Sequence, residues 1–206
     1  MAVPISGTVA ATGPLTDVEL RAVAVPVSGP LTDTELRAVA VPVASTLTAG
    51  ELHLGQVGGE GITISQTPTI SAAAIYASGD AVGGLLTFAN AARFSGGGGI
   101  SKNIIIIDDD KESGALELWL FNQTFTATAD NAPWDPSDTD LENCIGVIST
   151  VNGDWFAAAD NQVADIEVSK RYDLTGTSMF GQLVTRGTQT YTATTDLTVK
   201  IALLRD

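Results

Sequence analysis

The chain has 206 residues, enough for one ordinary domain plus an appendage, and its 44% hydrophobic content excludes a generally disordered protein. Ten basic residues against 24 acidic ones give a net charge of −14, a surface that repels phosphate backbones and disfavours a nucleic-acid partner. The one cysteine, Cys144, excludes an intrachain disulfide and reads as a small buried hydrophobe.

The N-terminal segment MAVPISGTVAATG has no basic n-region and no sustained apolar run, so no signal peptide is expected and the protein is expected to be made in a cytosol without secretory export. A tandem repeat follows. Residues 13–29 read GPLTDVELRAVAVPVSG and residues 29–45 read GPLTDTELRAVAVPVAS, a period of 16 residues. Residues 2–7 (AVPISG) are a partial earlier copy. In each repeat Pro-Leu-Thr-Asp is a turn or N-cap signature, with Asp17 or Asp33 as the acceptor. The next five residues suffice for about one helical turn. The closing Ala-Val-Ala-Val-Pro-Val run contains a proline, which removes a ladder donor and restricts the run to an edge strand or an extended tail. So few short copies cannot bury a core by themselves. Residues 1–57 are therefore expected to be an extended arm that lies on another surface. At ~3.3 Å per residue its reach exceeds about 100 Å. The expected assembly contacts are Leu15, Leu20, Val25 and Val27, with their repeat partners Leu31, Leu36, Val41 and Val43.

Residues 58–61 lie in a glycine-dense stretch that reads as a linker. Residues 62–206 read as one all-β domain, in keeping with 21 glycines, few charges and many Thr, Val and Ile residues. The uncharged stretch 61–79 has the length of a membrane span, but Ser, Thr, Gln and Pro interrupt it, and no membrane partner is expected. The predicted strands are Ile62–Ser65, Val82–Asn90, Ile100–Ile107, Ala115–Asn122, Cys144–Thr150, Val163–Val168, Met179–Thr185 and Leu197–Leu204. Asp108–Gly114 (DDDKESG) joins two apolar runs and reads as a hairpin connection with solvated acids. Asn131–Asp140 reads as a long polar loop, and Val151–Asp154 holds an Asn-Gly turn pair. About eight strands with several longer crossings fit a jelly-roll-like β-sandwich preceded by the repeat arm. Ile104–Ile107 and Leu116–Phe121 are apolar on both faces, which suggests a subunit interface on the second face.

The PLTD-x-ELRA-x-x-VPVS repeat resembles a motif of structural proteins in tailed-bacteriophage virions. The stretches Ala81–Ala92, Leu118–Phe121, Leu141–Ile148, Gly181–Thr188 and Leu197–Asp206 are similar to a common phage virion domain, so the resemblance spans nearly the whole chain. It implies a capsid decoration (cement) protein or head fibre on the virion capsid surface, assembled in the host cytoplasm as a homotrimer against the major capsid protein. It carries no catalytic motif.

The residue chemistry is otherwise sparse. Asp108–Asp110 lacks the alternating carboxylates and sharp glycine turn of a calcium loop, and Asp135, Asp138, Asp140 and Glu142 match no specific cation motif. Gly96–Gly99 precedes a predicted strand instead of a phosphate-binding helix, and reads as a flexible turn or a close chain contact. A single histidine, His53, with a single cysteine offers neither a zinc site nor a nucleophile–histidine pair. No metal, cofactor or enzymatic activity is expected. Trp119, Trp134, Trp155, Phe121 and Phe156 read as core or interface packing, with an exposed anchor or carbohydrate contact as the other reading of Trp134. The resulting expectation is a non-enzymatic capsid decoration or cement protein. The alternative is a head or tail fibre module binding host surface glycans.

Overall fold

The computed structural model describes residues 59–206. The repeat arm, its eight predicted contact residues and His53 lie outside the described residues. Nine strands run in chain order: β1 (Glu60–Gln66), β2 (Ala81–Phe88), β3 (Gly98–Asp108), β4 (Leu116–Phe121), β5 (Cys144–Ser149), β6 (Trp155–Ala157), β7 (Gln162–Asp173), β8 (Met179–Thr185) and β9 (Leu197–Arg205). Among the described residues one short α-helix, α1, spans Asp138–Leu141.

The strands form two antiparallel sheets packed face to face, a β-sandwich. One has five strands in the order β1-β9-β3-β7-β6, and the other has four in the order β2-β8-β4-β5. The pairing is nested: β1 pairs with β9, β2 with β8, β3 with β7 and β4 with β5. The chain thus folds back on itself about the 122–143 connection, and the doubled ribbon rolls up so that its pairs alternate between the sheets. This is jelly-roll topology.

Alternating side chains explain why these segments are strands. Leu197, Val199, Ile201 and Leu203 of β9 point inward, as do Ile104 and Ile106 of β3. They meet Leu116, Leu118 and Leu120 of β4 and Leu183 of β8 across the sandwich. The glycine run is a close chain contact. A Cβ at Gly98 would collide with the Tyr172 carbonyl, and one at Gly99 with the Leu204 carbonyl.

The four-stranded sheet is covered on its outer face too, by the 122–143 connection. Phe125 stacks on Phe121 with ring centroids 4.1 Å apart, and Trp134 packs against Trp119 at 5.7 Å. The buried Gln182 side chain of β8 accepts from the Thr128 N–H at 3.0 Å and donates to the carbonyls of Thr128 (2.6 Å) and Gly83 (2.7 Å). Asp130 accepts from the hydroxyls of Ser71 and Tyr76 and from the Gly83 N–H. Burial and the neighbouring Asp130 push the Tyr76 hydroxyl's pKa up, so it stays a proton donor.

Several expectations need correction. Asp108–Gly114 is not a hairpin: β3 and β4 lie in different sheets, and the segment crosses between them. Asp108 is not solvated either. It is fully buried, accepting from Gln162 Nε2 at 2.7 Å and from the Asp110 N–H at 3.1 Å. Asp110 accepts from the Thr192 N–H at 2.9 Å, so this acidic segment ties one crossing to another. β1 starts at Glu60, inside the predicted linker, because Glu60 and Gly61 pair with Arg205 and Leu204. The second face of β4 meets the chain's own loop instead of another subunit. Cys144 is half-buried, not buried. β6 went unpredicted because it has three residues, and β7 continues past Val168 through the polar stretch Ser169–Asp173.

Replacing Gln182 with Ala strands the part-buried Thr128 N–H and the buried Gly83 carbonyl, and is expected to lower stability by about 1–3 kcal/mol. Urea unfolding measures the loss. Amide exchange at Thr128 should accelerate more than exchange in β9, and equal effects at both sites would contradict a local role.

Candidate functional site

Two surfaces stand out. The first is a cleft of about 540 Å³ on the four-stranded side, between the turn at residues 77–80 and the segment 133–141. Asp80 shapes the turn: its carboxylate accepts the Ala77 N–H at 2.7 Å, while Gly79 takes a φ of 100°. The opposite wall is fixed by main-chain bonds from Trp134 N–H to the Gly79 carbonyl (2.9 Å) and from Ala81 N–H to the Ala132 carbonyl (2.8 Å). Ser137 caps α1 by accepting the Asp140 N–H at 3.1 Å, which holds Leu141 at the rim.

Trp119 and Trp134 line the cleft and are both half-buried. Trp134 also meets Phe125 edge-on at 6.1 Å and 87°, so its ring is clamped from behind. Its indole N–H is buried and finds no partner among the described residues. Beside the rings, the Glu117 carboxylate accepts from Arg186 Nη2 at 2.8 Å and from Trp119 Nε1 at 3.0 Å. The Arg186 hydrogen bond holds the Glu117 carboxyl below the usual glutamate range, against the opposing effect of burial. The Arg186 side chain is 44% exposed, so the guanidinium keeps donors facing solvent.

The second surface is the outer face of the five-stranded sheet. Ile107 of β3 lies opposite Val163 of β7, and Val163 lies opposite Phe156 of β6, so the three make a contiguous apolar strip. Ile105 shares this face of β3 but lies between Asp165 of β7 and Lys200 of β9, so the strip ends there. Phe156 is 65% exposed. This is the region where the expected second apolar face of β3 is found.

The other sequence candidates do not converge. Asp135, Asp138 and Glu142 are exposed, and Asp140 helps Ser137 cap α1. Among the described residues no group of three or more His, Cys, Asp or Glu side chains is placed to hold a metal ion. No helix among them is long and apolar enough to cross a membrane. Trp155 is half-buried and donates its indole N–H to the Gly114 carbonyl at 3.1 Å. The sequence pointed to Trp134 but missed Glu117, Arg186 and the 77–80 turn as its companions. No family model, no curated protein and no solved structure matches the chain.

Two carboxyls should titrate on opposite sides of the ordinary range. Burial raises the Asp108 pKa, whereas Arg186 lowers that of Glu117. For Glu117 the stabilisation is present above the unfolded-state pKa and is lost as pH falls through the lower folded value. For Asp108 the sign reverses: stability rises as pH falls through its raised pKa toward the unfolded value. Carbon-detected NMR of the side-chain carboxyls should place the Asp108 midpoint above the ordinary aspartate value and the Glu117 midpoint below the ordinary glutamate value; a midpoint on the other side would refute that residue's environment.

Proposed function

We propose that the protein is a non-enzymatic structural component of a tailed-phage virion that decorates or cements the capsid exterior. The observation that carries this reading is the order of parts: a tandem proline-containing repeat, then a jelly-roll sandwich. The repeat motif resembles those of phage virion proteins, and jelly rolls are a common architecture of viral shells, which adds an argument by analogy. In this reading the arm binds neighbouring major capsid subunits by backbone pairing with their sheet edges, through residues such as Leu15, Val25, Leu31 and Val41. Repetition makes attachment multivalent, so modest contacts combine into tight binding. The sandwiches meet as a homotrimer through Ile107, Val163 and Phe156. Copies carrying −14 each repel one another, which favours association through these uncharged side chains.

Deleting residues 1–57 should leave a folded sandwich that no longer attaches to heads of the phage encoding it. Cryo-electron microscopy of particles with the full-length and truncated chains reads this directly, and full occupancy by the truncated chain would refute arm-mediated attachment.

The strip makes a separate prediction. Phe156→Asp should shift the protein from trimer to monomer in light scattering after size exclusion, with unchanged far-UV circular dichroism. A trimer that survives the change, or a wild-type monomer, would remove the strip from the assembly.

A further inference from the structure

We infer that the cleft between the 77–80 turn and the 133–141 segment is a binding site for a neutral saccharide. The inference stands whether or not the protein decorates a capsid.

Three features of the cleft select this ligand class. Its volume of about 540 Å³ falls in the range of ~300–1,000 Å³ typical of small-ligand sites. Its wall carries two half-buried tryptophans, 5.7 Å apart and inclined by 51°, which offer aromatic surface to the apolar C–H face of a pyranose ring. Next to them Arg186 lines the cleft, its guanidinium held by Glu117 through Nη2, and its remaining N–H groups are donors for ring hydroxyls. A purely apolar ligand would leave that pair desolvated and unused, at a penalty.

Charge decides between neutral and anionic sugars. Arg186 is already neutralised by Glu117, so among the described residues no free cation faces the cleft. The neighbouring groups are Asp80, whose carboxylate is bonded to the Ala77 N–H, and the acids Asp135, Asp138 and Asp140 of the adjoining wall. An acidic sugar, a nucleotide or a phosphate would meet repulsion without compensation. The chain's own repeats fit less well for the same reason, since each carries two acids and one arginine.

The site is also preorganised. Trp134 is backed by Phe125, Trp119 is tethered through Nε1 to Glu117, and both cleft walls are fixed by main-chain bonds. Little ordering is left for the ligand to impose.

Saturation-transfer NMR on the full chain tests this. The probes are glucose, galactose, mannose, rhamnose and N-acetylglucosamine, with glucuronic acid and N-acetylneuraminic acid as anionic counterparts, and an array of bacterial surface polysaccharides covers longer chains. The expected result is saturable binding of at least one neutral sugar or polysaccharide, with shifts of the Trp119 and Trp134 indole signals. Trp119→Ala should weaken binding roughly tenfold or more. Arg186→Gln, a change at a half-exposed end that leaves β8 intact, should weaken it in the same direction, so the inference remains testable if the tryptophan variant fails to fold. Absence of binding to every neutral probe would overturn the inference. So would a preference for the anionic sugars, or binding that leaves the two indole signals and the Arg186 variant unaffected. A synthetic peptide of residues 29–45 that shifts the same indoles while no sugar does would reassign the cleft to the repeat arm. Loss of sugar binding with heads still decorated, or the reverse, separates this inference from the capsid proposal.

Discussion

Because the chain doubles back at residues 122–143, every strand before that point has to find a partner after it. Glu60 faces Arg205 across the outermost pair, and Leu118 faces Ile148 across the innermost. The outermost pair is clasped by Arg205, which bonds Glu60 through two guanidinium nitrogens and also donates to the Asn90 carbonyl. Closing so long a loop carries a large entropic cost before any contact rewards it. Local helix or hairpin propensity contributes little here. The inward leucines and isoleucines of both halves must meet at once, and the sandwich core is the force that completes the pairing.

The same doubling creates a second problem and solves it. The innermost pair leaves a connection of more than twenty residues, too long to be an ordinary turn. It is laid over the outer face of β4 and β8 instead of trailing into solvent. Gln182 satisfies the Thr128 main chain on both its donor and acceptor sides, and Asp130 collects three donors from the opposite wall. A fully satisfied polar network of this kind selects one position for the loop where apolar packing alone would permit several. Phe125 and Trp134 then have a fixed place on Phe121 and Trp119, and the cleft is the remaining space beside them.

How legible this was from sequence depends on how local each cause is. The eight apolar, β-branched runs were readable because alternation and turn residues act within a few positions. Sheet membership is different. DDDKESG between two apolar runs looks the same whether the strands pair or cross between layers, and only the distant partners β7 and β9 decide that β3 belongs elsewhere than β4. Asp108 misled for a related reason: an acid beside two others reads as solvated, and its burial depends on Gln162, 54 positions away. The cleft was half visible. Trp134 in an acidic loop invited attention, but its companions come from a turn near residue 79, from β4 and from the end of β8, which no short motif connects.

The two outer faces of the sandwich differ in chemistry, and the proposed assembly and the proposed recognition would each draw on one of them. On the five-stranded side the strip from Phe156 through Val163 to Ile107 offers apolar contact without hydrogen-bonding partners, which suits a permanent contact between identical copies. On the four-stranded side the tryptophans stand beside a paired carboxylate and guanidinium, where the proposed saccharide would exchange its hydroxyls for water. If copies associate through the first face, the second remains outward on each, and several weak saccharide sites then act together on one surface. Multivalency would thus operate twice, through the repeats in attachment and through the clefts in recognition. The acidity of the chain would limit both to specific contacts, because a net charge of −14 resists adhesion wherever the shape and chemistry of the partner do not compensate.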